Sequence, residues 1–337
     1  MNDVKARRKM RNVTRLSEIG EFPLIARLVR ALPTEDGVTV GPGDDCAVVE
    51  CDGATLLLTC DAAIEGIHFR REWAGAEAIG WKSGAAALSD IAAMGGRPRF
   101  MLITLACPPE EDVAFLEALY HGLAAVAARC GAVIVGGDTA RSPSGVMVDI
   151  MIVGEAAGPR ILRRTGARPG NLLAVTGRPG QSAAALIALQ RGMDPGELAQ
   201  AHFHPVPRIL EGQWLAAREG VHAMIDLSDG LLQDAGHLAE AAWMAVDVDP
   251  DRIPISDAMR RLVEAAGEDP AAVALAGGED YELILAVDPA DFDAMQGAFQ
   301  DRFEVPLTAV GNFTAEWQGA RVRGAAPEKA GYDHFKG

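Results

Sequence analysis

TLLLTCD from Thr55, AVIVGGD from Ala132 and HAMIDLSDG from His222 are each a short apolar run of strand length that ends in acid. Between such runs lie segments with helical apolar spacing: GEFPLIARLVRAL (Gly20 to Leu32), EAIGWKSGAAALSDIAAMGG (Glu77 to Gly96), LEALYHGLAAVAARC, SAAALIALQRG and LLQDAGHLAEAAWM. RFMLITLAC, VMVDIMIVGEA, NLLAVTG and YELILAV complete the strand candidates, and the paired glycines after the second helix suit a C-terminal cap. Strand and helix alternate in two rounds, which predicts an α/β protein with mixed sheets in two domains. The Gly-, Pro- and Arg-rich stretch from Gly158 to Gly170 is the expected boundary, giving domains at 19–158 and 159–337. Residues 1–18 read as a solvated, disordered extension.

At 337 residues the chain exceeds a comfortable single core, in keeping with two domains. Its net charge of −16 argues against neutralising the phosphates of a nucleic acid, so a polyanionic substrate must arrive with cations. No run approaches about eighteen consecutive apolar residues, and MNDVKARRKMRNVTRLSE is basic without an apolar core; neither a membrane span nor a signal peptide is expected, and the expected location is the cytoplasm. Five cysteines without a CxxC pair read as reduced core thiols.

Two glycine-rich stretches fall short of nucleotide motifs. GPGDDC carries Cys46 where a dinucleotide fingerprint has its third glycine, and GAEAIGWKS (Gly75 to Ser83) has Trp81 between glycine and lysine inside a predicted helix, where the amides are already paired. HFHP, His202 to Pro205, lacks a third nearby ligand and precedes a helix start at PRIL, so it reads as structural. What recurs is aspartate: Asp44 and Asp45, Asp61, Asp90 in LSD, Asp138 in VGGD, and Asp226 with Asp229 in IDLSDG. One such acid is ordinarily a turn or cap residue. Several brought together at strand ends would raise one another's pKa unless cations lay between them. Mg²⁺ is the natural cation, because it takes oxygen ligands and is usually shared between carboxylates and substrate phosphate.

GPGDDCAV, TCDAAIEGIHF, LSDIAAMGGRP, VGGDTAR, IDLSDGLLQD, GGEDYEL and GYDHF, in this order from about Gly20 to the end, closely resemble the thiamine-monophosphate kinase family of the PurM-like (aminoimidazole ribonucleotide synthetase) superfamily. EGIHF and the terminal GYDHF point to this family; the reactive N-terminal Cys or Sec of selenophosphate synthetases and the C-terminal cysteine of hydrogenase-maturation relatives do not appear. The resemblance implies a PurM-like two-domain fold, with an N-terminal sheet that pairs with its twin in a homodimer and a C-terminal α/β domain over the nucleotide. It implies ATP- and Mg²⁺-dependent phosphorylation of thiamine monophosphate.

Carried across by position, the resemblance makes Asp45, Asp61, Asp90, Asp138, Asp226 and Asp229 the ligands of several Mg²⁺ ions and of Mg-ATP. Tyr120, Gly137, Asp138, Arg164 and Ser228 would meet the nucleotide, and His68, Glu279 and Tyr332 the thiamine phosphate. Taken alone, Arg164 is a loop charge, His68 a structural histidine, Glu279 a turn acid and Tyr332 a packing residue of the tail. Thr59 and Cys60 stand where the family commonly has two hydroxyl residues that serve the metal. A thiol is a poor Mg²⁺ ligand, which leaves a backbone carbonyl or a water in its place. Two other readings stay open: a PurM-like synthetase that activates a carbonyl or amide oxygen with ATP, and a non-catalytic nucleotide-binding partner protein, which would be expected to lack metal aspartates.

Overall fold

The computed structural model describes residues 15–33, 35–323 and 331–335. Most of the expected 1–18 extension lies outside them; its described end enters α1 (Leu16–Ile19), followed by α2 (Glu21–Val29). These helices and residues 333–335 belong to one compact unit, in which Glu21 accepts a hydrogen bond from the His334 amide at 3.2 Å. The described residues from Asp36 to Tyr332 form a second.

The second unit is built on two six-stranded mixed sheets. The first consists of β1 (Val38–Val40), β2 (Ala47–Cys51), β3 (Ala54–Ile64), β4 (Gly96–Cys107), β5 (Val133–Arg141) and β6 (Met147–Ala156), in the order β1-β2-β3-β6-β4-β5. Only β4 and β5 pair in parallel, across the connecting helix α4 (Val113–Cys130). The second sheet consists of β7 (Leu172–Thr176), β8 (Val221–Asp226), β9 (Ala245–Val248), β10 (Leu283–Val287), β11 (Leu307–Thr314) and β12 (Gly319–Val322), in the order β12-β9-β11-β7-β10-β8. Its strands β7, β8 and β10 are buried nearly throughout, which explains why they read as unbroken apolar runs.

Helix α3 (Ala76–Ala93) is buried along most of its length, so its apolar residues lie all round it instead of on one stripe. It packs on the first sheet, on α4 and on α7 (Ile209–Ala216). Small residues make this possible: a Cβ on Gly80 would lie 1.9 Å from the Leu119 carbonyl oxygen, and one on Gly122 1.9 Å from that of Glu77. At its end Gly95 takes φ +68°, as the cap reading of GG requires. Helix α4 is the one described helix long and apolar enough to cross a membrane; here Leu119, Leu123 and Val126 bury its inner face.

Among the described residues of this unit, no helix packs on the other face of the first sheet. Strand alternation and register put Leu58, Cys60, Ala62 and Ile64 of β3 there, with Met147, Asp149 and Met151 of β6, Phe100 and Thr104 of β4, and Val133 and Asp138 of β5. Ile64, Phe100, Val133, Met147 and Met151 are exposed.

The cysteines are all free, but Cys51 and Cys60 are exposed, so the expectation of core thiols fits Cys46 alone in full. Strands β1, β2, β9, β11 and β12 and helices α9 (Asp257–Ala265), α10 (Pro270–Ala276) and α11 (Pro289–Gln300) add to the elements expected from the sequence.

Candidate active site

The GPGDD loop before β2 divides its two acids between tasks. Asp44 accepts the backbone N–H groups of Asp45 and Arg164, at 3.2 and 3.1 Å, and so ties the loop to the chain after β6. Asp45 turns inward; its side chain is fully buried, and Oδ1 receives Nη2 and Nε of Arg164 at 2.6 and 3.2 Å. Oδ2 is buried with no hydrogen-bond partner. An unpaired buried carboxylate oxygen is costly and marks a place where a further group belongs.

Asp45 is joined there by Asp90 from α3 and Asp226 from the end of β8, with oxygens of all three within 4.8 Å of one another. The Thr59 hydroxyl donates to Asp90 Oδ2 at 2.5 Å. Burial, and then mutual repulsion, pushes the Asp90 carboxyl well above its usual range. Burial followed by the Asp45 charge pushes Asp226 up to about 7. Three acids gathered out of water in this way cannot all stay ionised without positive charge among them. Arg164 supplies part of it, from one side only.

Strand alternation separates Thr59 and Asp61 from Cys60. The first two face the helices, Thr59 toward the acidic cluster and Asp61 toward a neighbouring cavity, and lie about 7 Å apart along the strand. The Cys60 thiol stands on the open face, where burial and then Asp149 raise its pKa. Only its backbone is left for the cluster.

The loop after β8 is shaped by an acid from the helix that follows it, α8 (Leu231–Ala241). Asp234 Oδ2 accepts the consecutive amides of Ser228, Asp229 and Gly230 at 3.1, 3.1 and 3.0 Å. Gly230 is the N-cap of α8, and the other two amides belong to the loop before it. Asp229 accepts Gln233 Nε2 at 2.9 Å, and the Tyr332 backbone straps the same loop: its N–H donates to the Asp229 carbonyl at 3.1 Å and its carbonyl accepts Gln233 Nε2 at 2.8 Å. Asp229, Asp234 and His237 form a second close group.

The cavity lies beside the acidic cluster. Its walls include Asp61, His68, Phe69, Trp73, His202 and Glu279, with Lys82 and Tyr281 among the remainder. Tyr332 is half exposed and outside that lining. His68 Nδ1 accepts the Ile64 amide at 3.1 Å, which fixes the EGIHF turn. In GGEDYEL, three acids reach three different elements. Glu279 meets Lys82 of α3 at 2.9 Å, and Asp280 accepts the Gly180 and Ser182 amides at the start of α5 (Gln181–Gln190). Glu282 holds Arg208 and the Thr176 hydroxyl. Burial pushes Asp280 up to about 7. Glu279 and Tyr281 both take positive φ, +64° and +52°, backbone strain of the kind that collects at functional sites.

Tyr120, Gly137 and Asp138 are not part of this assembly within one chain. Tyr120 is on α4, and Gly137 and Asp138 are on the edge strand β5. Strand β5 lies three positions from β3, about 14 Å at ordinary strand spacing, and Asp138 shares the open face with Thr104. Gly137 has a steric reason for its identity: a Cβ there would lie 1.8 Å from the Ile103 carbonyl oxygen. Lys82 and His202 were not candidates in the sequence. A lone lysine in an Ala-rich buried helix was the available signal for the first; the histidine had none beyond HFHP.

Residues 43–156 match the model for the AIR synthase related protein N-terminal domain, and 168–323 that for the C-terminal domain. The thiamine-monophosphate kinase of Salmonella typhimurium is 39% identical over 330 residues, covering 94% of this chain and 98% of that one. That of Escherichia coli K12 is 38% identical, with the same shares. Among solved structures, AaThiL complexed with AMPPCP and TMP superposes with a TM-score of 0.85 at 32% identity, covering 96% of this chain and all of that one. With both domain models in sequence and this identity along nearly the full length, the chain belongs to the thiamine-monophosphate kinase family of the AIR synthase related proteins.

Proposed function

We infer that this protein transfers the γ-phosphoryl group of ATP to the phosphate of thiamine monophosphate, yielding thiamine diphosphate and ADP. The observation that carries the reading is β3, which sends Thr59 to a buried acidic cluster and Asp61 to a small-molecule cavity on the same face. A solved relative named for AMPPCP and TMP gives the two ligand classes. An acceptor phosphate has a second pKa near ~6, so its attacking oxygen is ionised at neutral pH and needs no dedicated base. That oxygen bonds to the γ-phosphorus as the bond to the β-phosphate oxygen breaks. The requirement on the protein is to align two polyanions and screen their charge. A coupled assay of ADP release with ATP, Mg²⁺ and thiamine monophosphate tests it, and absence of acceptor-dependent ADP would overturn it.

The donors suit Mg²⁺: all oxygen, one of them the partnerless Asp45 Oδ2. Asp45, Asp90 and Asp226, with Thr59, Asp61 and Asp229 at the margin, would hold the ions, which supply charge screening and phosphate alignment when bound. Arg164 orients Asp45 and Ser228 lines the loop toward ATP. His68 and Glu279 line the cavity that would take the acceptor, and Tyr332, outside that lining, would reach the acceptor from the tail. A cytoplasmic location accords with a reaction that consumes ATP.

Activity is expected to need Mg²⁺ beyond what forms Mg-ATP, read as a further rise when Mg²⁺ is titrated at fixed Mg-ATP. Saturation at one equivalent would leave no extra ion. Protons compete for the same carboxylates, and Asp226 keeps its proton up to about pH 7 without metal. The Mg²⁺ midpoint should therefore fall as pH rises from 6 to 8.

The apolar open face of the first sheet supports a homodimer, with a second copy as its cover. In that arrangement Tyr120, Gly137 and Asp138 serve the nucleotide bound by the other chain. Tyr332→Ala should raise the acceptor KM about two- to thirtyfold through lost stacking and cation–π attraction, with the ATP KM little changed. A tail that only packs would lower the melting temperature and leave both constants alone.

A further inference from the structure

Lys82 is an unusual presence in α3. The helix around it is small, apolar and buried, and the lysine side chain is only 10% exposed. Its Nζ lies 2.9 Å from Glu279 Oε1, and each ring nitrogen of His202 lies 3.4 Å from it. His202 is kept neutral, its pKa brought down to about 4 by burial and then by the lysine charge, so it does not compete as a cation for the carboxylate. Burial opposes the charged form of Glu279, but Lys82 together with the neighbouring His202 and His68 offsets it and the carboxyl sits below its usual range.

Stability does not account for this pair. Replacing a buried ion pair by well-packed apolar residues is often neutral or favourable, and α3 is otherwise apolar. Nor does local backbone preference, because Glu279 holds a left-handed φ of +64° that a glycine would adopt more easily. Both residues line the cavity, with the glutamate side chain 31% exposed.

We propose that Lys82 is a positioning residue for acceptor binding, holding the Glu279 carboxylate in one orientation at the cavity wall so that it can receive the cationic ring system of the acceptor. The inference rests on the acceptor being thiamine monophosphate. It makes α3 a shared support: Asp90 near its end belongs to the acidic cluster, and Lys82 two turns earlier sets the acceptor contact.

The test compares Lys82→Met, Lys82→Arg, Glu279→Gln and the Lys82→Met/Glu279→Gln double variant. KM for each substrate, kcat and melting temperature are measured, together with thiamine monophosphate binding followed by tryptophan fluorescence, since Trp73 lines the cavity. Lys82→Met should raise the acceptor KM tenfold or more while the ATP KM stays within twofold. The double variant should bind the acceptor no worse than Glu279→Gln alone, because the lysine acts only through the glutamate. Lys82→Arg should recover part of the loss. Multiplying effects in the double variant, equal rises in both KM values, or a lower melting temperature with unchanged acceptor KM would each overturn the inference while leaving the kinase reading intact. A wild-type protein that neither binds nor turns over thiamine monophosphate overturns both.

Discussion

Asp90→Asn is expected to lower kcat by about two orders of magnitude or more, corresponding to about 2.7 kcal/mol of lost transition-state stabilisation. Asparagine keeps the shape, and its amide oxygen can still accept the Thr59 hydroxyl that now meets Asp90 at 2.5 Å. What goes is charge, from the centre of a cluster whose oxygens lie within 4.8 Å of one another. The metal-free variant should be no less stable than the parent, because a source of repulsion has been removed. Steady-state kinetics and thermal melting in the presence of a chelator, run on one preparation, check both halves. Near-normal turnover would take Asp90 out of the site; a large loss of stability would reassign it to the fold.

Mixing two inactive variants should restore activity. If Asp138 serves the nucleotide of the other chain, Asp90→Asn and Asp138→Asn each remove both sites of a homodimer. A mixed dimer carries both changes in one site and neither in the other. Random reassociation of equal amounts should therefore recover about a quarter of the wild-type rate, from about 1% or less for either variant alone. The basis is the position of β5, at the far edge of the first sheet with Asp138 on its uncovered face. Light scattering beside the assay separates the outcomes. No recovery from a dimer means that Asp138 acts within its own chain or not at all, and a monomer removes the premise.

The architecture was legible where burial leaves a composition signal. β3, β4 and β6, and the central strands β7, β8 and β10 of the second sheet, are apolar enough to be read directly, and the Ala-rich α3 declares itself by having no polar face. The short β1, β9 and β12, of three or four residues each, carry too little pattern, and β11 interleaves Thr, Gly and Asn with its apolar residues. Helix α9, DAMRRLVEA, is amphipathic but was not among the elements expected from the sequence.

In the site, the recurrence of aspartate marked the acids, but the expected convergence of strand ends holds for Asp226 alone: Asp90 comes from within α3 and Asp45 from the loop before β2. Thr59 and Cys60 could have been separated from sequence by strand alternation alone, which turns adjacent residues to opposite faces. The Lys82–Glu279 pair could not, since each member takes its meaning from a residue nearly two hundred positions away. The same holds for Arg164, whose guanidinium engages Asp45 from 119 positions away.

The Asp234 carboxylate has a wider consequence. It accepts three successive amides of the loop that leads into α8. Burial, and then the charges of Asp229 and Asp226, push the Asp234 carboxyl well above its usual range, so the loop is gathered around a group that leans toward its neutral form. The amides of Ser228, Asp229 and Gly230 are thereby spent inside the chain, and a phosphate brought to this loop has to be met by something other than the loop's own backbone donors.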